Sequence, residues 1–335
     1  MGVIDLRRDT ITLPTETMKE AAFQAKLGDS VYGEDPDQER LERRAAEISG
    51  KEAAIFLPSG TMGNLVALLT HTERGQELIL EANAHIRTSE SGGAANVAGL
   101  MIATVPGPSG CPAVSDVAAA IRKDDIHYPR TGLICLESSH YRYGGIVAPL
   151  SEMRAVYEIA RERSIPLHLD GARLFNAASY LGVDAAEICD CVDSVMFSLS
   201  KGLAAPVGSM LCGTEKFIER AKRFRKMLGG GMRQTGWLCA AGVQALEPEN
   251  IKRIGRDNEN ARKLAAGLNA IPGISVDVER VHTNFADARL IAAAAYDKTA
   301  DGPPISINAA VLAARLKEKG ILVTPRRSEE RRVGK

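Results

Sequence analysis

The chain has 335 residues, 45% of them hydrophobic and 25% charged, enough to bury a large core in one large and one smaller domain. Its 42 basic and 42 acidic residues cancel, so no global field favours a nucleic acid or an anionic membrane partner. Asp5, Arg7, Arg8 and Asp9 stand where a secretory leader would need an apolar core, and no apolar run is long enough to cross a bilayer, so a cytoplasmic protein is expected.

In chain order, the periodicity predicts a helix over 37–49, a strand over 53–57, a helix over 61–71 and strands over 77–80 and 133–137. A helix over 150–163 follows, then strands over 166–170, 194–198 and 208–212, and helices over 214–227 and 233–246. Short, uniformly apolar strands separated by helices imply an α/β fold with a mostly parallel sheet covered on both faces. Beyond Glu247-Pro248-Glu249-Asn250 the pattern turns α+β: a helix over 257–268, alternating segments near 274–278 and 284–291, a helix over 308–319 and a strand over 321–323. The division expected is a large domain over 1–250 and a small one over 251–326, with a soft boundary between Glu247 and Gly273. Residues 327–335 read as the in-frame translation of a sequencing-adapter oligonucleotide, so natural sequence would stop near Pro325 and leave the small domain incomplete.

Six cysteines (Cys111, Cys135, Cys189, Cys191, Cys212 and Cys239) form no C-x-x-C pair and have no histidine at zinc spacing; they read as small buried hydrophobes, and no metal is expected. The chemistry concentrates elsewhere. His168-Leu169-Asp170-Gly171-Ala172-Arg173 leads into an apolar run that ends in Ser198-Leu199-Ser200-Lys201-Gly202. Either Asp170 or Lys201 alone is at home as a helix cap or a surface residue. Together, an acid and a lysine at neighbouring strand ends are two of the parts pyridoxal phosphate (PLP) needs: an amine to bond its aldehyde and a carboxylate to keep its pyridine nitrogen protonated. A third part is an anion site, and Ser59-Gly60-Thr61 between a strand and a helix would present backbone N–H groups, the positive end of the helix dipole and the Thr61 hydroxyl. No G-x-x-x-x-G-K-[ST] or G-x-G-x-x-G follows a strand, so Gly229-Gly230-Gly231 is not read as a nucleotide loop.

The chain resembles the low-specificity threonine aldolases of the beta-eliminating lyase family, fold-type I PLP enzymes. The likeness runs from Ile4 to about Asn284, through Asp5-Leu6-Arg7, Val31-Tyr32-Gly33-Glu34-Asp35-Pro36, Lys51-Glu52-Ala53-Ala54, Pro58-Ser59-Gly60-Thr61, His168 to Ala177, Leu199-Ser200-Lys201-Gly202-Leu203 and Gly229-Gly230-Gly231-Met232-Arg233-Gln234. It implies an aspartate-aminotransferase-like large domain with a smaller α+β C-terminal domain, and retro-aldol cleavage of L-threonine, L-allo-threonine and related β-hydroxy-α-amino acids to glycine and an aldehyde. Lys201 would carry the cofactor with Asp170 behind its ring. His85 would stack on that ring and assist proton transfer, and His127 would lie near the substrate hydroxyl. Ser59, Gly60, Thr61 and Ser200 would hold the phosphate. Lys226 and Arg233 would reach that phosphate from an adjacent subunit, which implies a homo-oligomer, a dimer or a homotetramer. Arg173 would grip a carboxylate or the cofactor's phenolic oxygen, and Tyr32 would touch substrate.

Three departures stand out. Arg8 replaces a serine that usually bonds the substrate carboxylate, and it either binds that group more strongly or fills the pocket. Tyr141 stands where asparagine is usual after the histidine matched by His140. No counterpart of the family's distal carboxylate-binding arginine precedes the adapter-like tail. Other PLP chemistry at Cα (β-elimination, racemisation or transamination) and a weakly active, truncated homologue remain the alternatives.

Overall fold

A computed structural model of the chain describes residues 2–107, 110–291, 296–297, 305–306 and 308–325. Seven strands make the central sheet: β1 (Ala53–Leu57), β2 (Glu77–Glu81), β3 (Met101–Val105), β4 (Thr131–Glu137), β5 (Leu167–Asp170), β6 (Ser194–Ser198) and β7 (Ser209–Gly213). They lie in the order β1-β7-β6-β5-β4-β2-β3. β7 runs antiparallel to both its neighbours, and the other adjacent pairs are parallel. Every residue of β2, β5, β6 and β7 is buried, as a sheet covered on both faces requires. β3 carries no such signal in the sequence. It is one of the two edge strands, and its exposed Met101 and Thr104 break the apolar run.

The helices are α1 (Glu16–Phe23), α2 (Pro36–Ser49), α3 (Gly60–His71), α4 (Leu150–Glu162), α5 (Leu174–Leu181), α6 (Glu215–Met227), α7 (Gly236–Ala245), α8 (Pro248–Asn269) and α9 (Ala309–Glu318), besides shorter turns. α2 starts where Asp35 accepts from the Gln38 amide and Pro36 fills the first turn, and it stops at Gly50, whose φ of +65° suits a left-handed cap. α3 lies tight on β6, because a Cβ on Gly63 would fall 2.6 Å from Met196 Cγ. α7 begins at Gly236 rather than at 233: the Arg233 carbonyl accepts from Ser30, and the Gly236 amide donates to Asp35 at 2.7 Å.

α8 also starts earlier than its periodicity suggests. Pro248 sits in its first turn, where the missing N–H costs no bond, so a residue that reads as a breaker is instead a start. The boundary expected at 250/251 falls inside this helix, which Asn258 ties to α5 through bonds of 2.9 and 3.0 Å to Asn176. A small core of Ala261, Ala265, Val276 and Val281 lies beneath the two-stranded ladder of Ile274–Ser275 and Arg289–Leu290. The strand Ile321–Leu322 pairs in parallel with Ile4–Asp5, joining the two ends of the described chain. The adapter-like stretch 327–335 lies outside the described residues. No helix among the described residues is long and apolar enough to cross a membrane.

Candidate active site

In parallel sheets, chemistry gathers at the carboxyl ends of the strands. Here β2 ends in Glu81, β4 in Glu137 and β5 in Asp170, and Lys201 follows β6 by three residues. Glu137 and Asp170 are direct partners in the ladder, so two buried carboxyls stand side by side.

Asp170 accepts from the Ala172 amide at 3.1 Å and from Asn64 Nδ2 at 2.9 Å. Asn64 also donates to Glu90 at 2.7 Å, and Glu90 lies 2.9 Å from His85 Nδ1. One ligating atom from each of His85, Glu90 and Asp170 falls within 4.8 Å of the others. Glu137 accepts from the backbone amides of His85 (2.6 Å) and Tyr141 (2.8 Å), which fixes the short helix His85–Thr88 over the sheet end. Burial by itself depresses the His85 pKa, but the bond to Glu90 and the charges of Asp170, Glu90 and Glu137 outweigh it and hold the ring above its ordinary value. His85 Nε2 has no partner among the described residues.

Lys201 sits in a narrow cleft with Ala172, Arg173, Phe175, Asn176 and Ile254. Burial, and next the charge of Arg173, lower its pKa against the pull of Asp170 and Asp9, which favours the neutral, nucleophilic amine. Thr12 donates to the Lys201 carbonyl at 2.8 Å and holds the N-terminal segment against it. Arg173 gives its fork to Asp9 at 2.5 and 2.8 Å, with Asn284 on the same carboxylate at 3.1 Å and the Phe285 ring 4.6 Å from the guanidinium carbon. Burial would raise the Asp9 pKa, but Arg173 overcomes it and holds the carboxyl below its usual range. Asn284 Oδ1 is buried with no partner among the described residues.

Ser59 caps α3 by accepting from the Met62 amide, and the amides of Gly60 and Thr61 take no partner among the described residues. Ser198 Oγ, at the end of β6, would lie 3.3 Å from a Cβ on Gly60, so the α3 start and the segment leading to Ser200 and Lys201 face each other.

The structure thus brings together Lys201, Asp170, His85, Arg173, Ser59, Gly60 and Thr61, with Ser200 beside the lysine. It does not bring the remaining sequence candidates into this cluster within one chain. His127 is 79% exposed at its side chain and pairs with Asp125 at 2.8 Å. Tyr32 is 75% exposed and lies 6.0 Å from Arg233, whose guanidinium pairs with Asp29 at 2.6 Å. Lys226 and Arg8 are exposed. His140 is fully buried behind the site, 3.0 Å from Glu81 and 3.6 Å from Glu137, while the neighbouring Tyr141 packs edge-on against His85 at 6.3 Å and lies 5.8 Å from the Arg173 guanidinium. Sequence reasoning missed Asp9, Asn64, Glu90 and Asn284. Asn64 had a usable signal, since it is a lone amide on the buried face of an otherwise apolar helix; the others have none without the fold.

A family model described as beta-eliminating lyase matches residues 5–290. The chain is 47% identical over 286 residues to a probable low-specificity L-threonine aldolase 2 of Arabidopsis thaliana, covering 84% of this chain and 80% of that one. It is 46% identical over 289 residues to the low specificity L-threonine aldolase of Escherichia coli strain K12, covering 86% and 85%. Among solved structures, a putative L-allo-threonine aldolase from Listeria monocytogenes superposes with a TM-score of 0.76 at 23% identity, covering 92% of this chain and 82% of that one. A putative aromatic amino acid beta-eliminating lyase/threonine aldolase from Exiguobacterium does so with 0.77 at 24%, covering 96% and 89%. These structural likenesses carry the fold: a mostly parallel α/β sheet of the type seen in fold-type I PLP enzymes.

Proposed function

Because the chain belongs to the beta-eliminating lyase family, we propose that it is a PLP-dependent carbon–carbon lyase that cleaves L-threonine, L-allo-threonine and related β-hydroxy-α-amino acids to glycine and an aldehyde. The observation that carries this reading is the convergence of Lys201, Asp170 and His85 at the carboxyl ends of the strands β6, β5 and β2 of one sheet. The residues present fit PLP by their chemistry: a buried amine of lowered pKa, a buried carboxylate one strand away, and a helix N-terminus with two uncommitted amides for a phosphate. When bound, the cofactor supplies an electron sink for the negative charge left at Cα as the Cα–Cβ bond breaks.

The chain's own groups do the rest. Lys201 Nζ would hold the cofactor covalently, and Ser59, Gly60, Thr61 and Ser200 would bind its phosphate. Asp170, held by Asn64 and the Ala172 amide, would supply the carboxylate for the pyridine nitrogen. His85, whose Nδ1 is committed to Glu90, offers Nε2 to take the proton of the substrate's β-hydroxyl, and the imidazolium that results is stabilised by three nearby carboxylates. Arg173, whose fork lies on Asp9, would grip the substrate carboxylate or the cofactor's phenolic oxygen, and the exposed Arg8 would either bind that carboxylate or fill the pocket. The exposed Lys226, Arg233 and Tyr32 support a homo-oligomer, a tetramer in our reading, in which these residues and His127 complete the site of a neighbouring subunit. The six unpaired cysteines support a reducing, cytoplasmic setting.

The test is incubation of the purified, PLP-loaded protein with L-threonine while glycine, acetaldehyde and 2-oxobutyrate are quantified. Glycine and acetaldehyde in equal amounts are expected. 2-Oxobutyrate in their place would mean β-elimination instead, and no turnover of any β-hydroxy amino acid would overturn the assignment.

A further inference from the structure

Asn64 lies in α3 one turn beyond Gly60 and is completely buried. Its amide nitrogen spends one hydrogen on Asp170 Oδ2 (2.9 Å) and the other on Glu90 Oε1 (2.7 Å). The reverse orientation would aim the amide oxygen at two carboxylates, so the placement of nitrogen and oxygen is fixed by charge.

The amide oxygen is fixed as well. It lies 3.3 Å from His168 Nε2, and since an amide oxygen only accepts, that ring nitrogen carries the hydrogen. His168 Nδ1 then accepts from the Ser194 hydroxyl at 2.8 Å, and Ser194 Oγ in turn accepts from His71 Nε2 at 2.7 Å. Burial keeps both rings neutral, pushing His168 down to about 4 and His71 to about 3. No member of this chain can rotate without breaking its neighbour's bond, and the direction of every bond ends in the two hydrogens that Asn64 presents.

At the other end Glu90 Oε1 receives both Asn64 and His85 Nδ1, so the acid that orients the histidine shares its amide donor with Asp170. We propose that Asn64 is a positioning residue: its side-chain amide, aimed by His168, sets the acid behind the cofactor ring and the acid behind His85 in one fixed arrangement. This assignment rests on the lyase reading above. Asn64 touches no reacting atom; it acts through Asp170 and, by way of Glu90, through His85.

The test uses PLP-loaded Asn64→Ala, Glu90→Gln and the double variant, with PLP affinity and visible absorbance of the bound cofactor measured beside kcat and KM for threonine. For Asn64→Ala, kcat should fall by about 10- to 150-fold, the scale of lost bonds to charged groups, while KM stays within about threefold. PLP affinity should weaken by about tenfold or more, because the carboxylate facing the ring is no longer held. The double variant should be no worse than Asn64→Ala alone, since both act on the same arrangement. If Asn64→Ala does not fold, the near-isosteric, uncharged Asn64→Leu, which lacks both hydrogens, carries the same expectations. A folded variant with PLP affinity, absorbance and kcat all within about twofold of the parent, or strictly additive effects in the double variant, overturns the proposal. Failure of the parent chain to release glycine would count against the lyase reading alone, because PLP affinity and absorbance still decide the role of Asn64.

Discussion

His168 offers a measurement in which the size and sign of an effect follow from the structure. Its ring is buried inside β5 between Ser194 and Asn64, and burial, only partly opposed by the charge of Asp170, pushes its pKa from 6.5 down to about 4. The folded chain therefore resists a proton that the unfolded chain accepts. Its contribution to stability is complete above pH 6.5 and is lost progressively as the pH falls from there towards 4. At about 1.4 kcal/mol per pK unit, the whole loss is about 3 kcal/mol. His168→Gln removes the titration while its amide can still donate to Asn64 and accept from Ser194. Urea unfolding of parent and variant at fixed protein and PLP concentration, in small steps from about pH 7 to 4.5, gives the comparison. Whatever fixed cost the substitution carries, the stability gap between the two should narrow by about 2 kcal/mol over that range, the remainder being lost only below pH 4.5. His71 titrates with the same sign in both proteins, its depression owing first to burial and only next to His168. Parallel curves would show that His168 is not held neutral, and the donor assignment running through Asn64 would fall with it.

Lys201→Ala should abolish the cofactor colour that borohydride fixes to the protein, and a fixed adduct of parental intensity on another lysine would refute its role. Asp170→Asn should still bind PLP covalently yet lose about 10²-fold or more in kcat, because the charge facing the ring nitrogen is gone; parental turnover would show that the electron sink has been misplaced. His85→Ala should lower kcat by about 10²–10⁴-fold with a smaller change in PLP affinity, whereas loss of affinity at unchanged kcat would leave the ring only a stacking role. Gly145→Ala would put a methyl 2.1 Å from Thr283 Oγ1 and 2.6 Å from the Phe285 ring at a φ of +77°. Displacing the segment that carries Asn284 should cost about 1–3 kcal/mol, read as a lowered Tm, and an unchanged Tm would contradict the packing described.

What could be read from the sequence depended on how far each feature spreads along the chain. Strands buried along their length, the edge strand β1 included, were legible as continuous apolar runs, and β3 was not because its exposed Met101 and Thr104 interrupt the run. The periodicity expected a helix only from 257, whereas α8 starts at Pro248, whose missing N–H costs nothing in a first turn. Asp170, Lys201 and the Ser59 turn announce themselves by residue type at strand and helix ends. Glu90 and Asn64 do not, because 106 residues separate Asn64 from Asp170 and only the sheet order brings α3 against the end of β5. The pairing of Arg173 with Asp9, 164 residues away, is equally invisible before folding. His127, Tyr32, Lys226 and Arg233 face solvent in the single chain, so a family pattern pointed to them where their own surroundings do not.

The pairing of Ile4–Asp5 with Ile321–Leu322 links the far end of the described chain to the reactivity of one amine. Leu6 donates to the Leu322 carbonyl and Thr324 to the Arg7 carbonyl, so the first residues are laced to the small domain up to the point where Asp9 turns inward. Asp9 is the counter-ion of Arg173, and the two act on Lys201 with opposite sign: the guanidinium lowers the lysine's pKa and the carboxylate raises it. Arg173 and Asn284 hold the Asp9 carboxylate in place, so the guanidinium beside the lysine stays compensated. The segment with which the C-terminal strand pairs thus leads to the carboxylate that offsets Arg173 at Lys201.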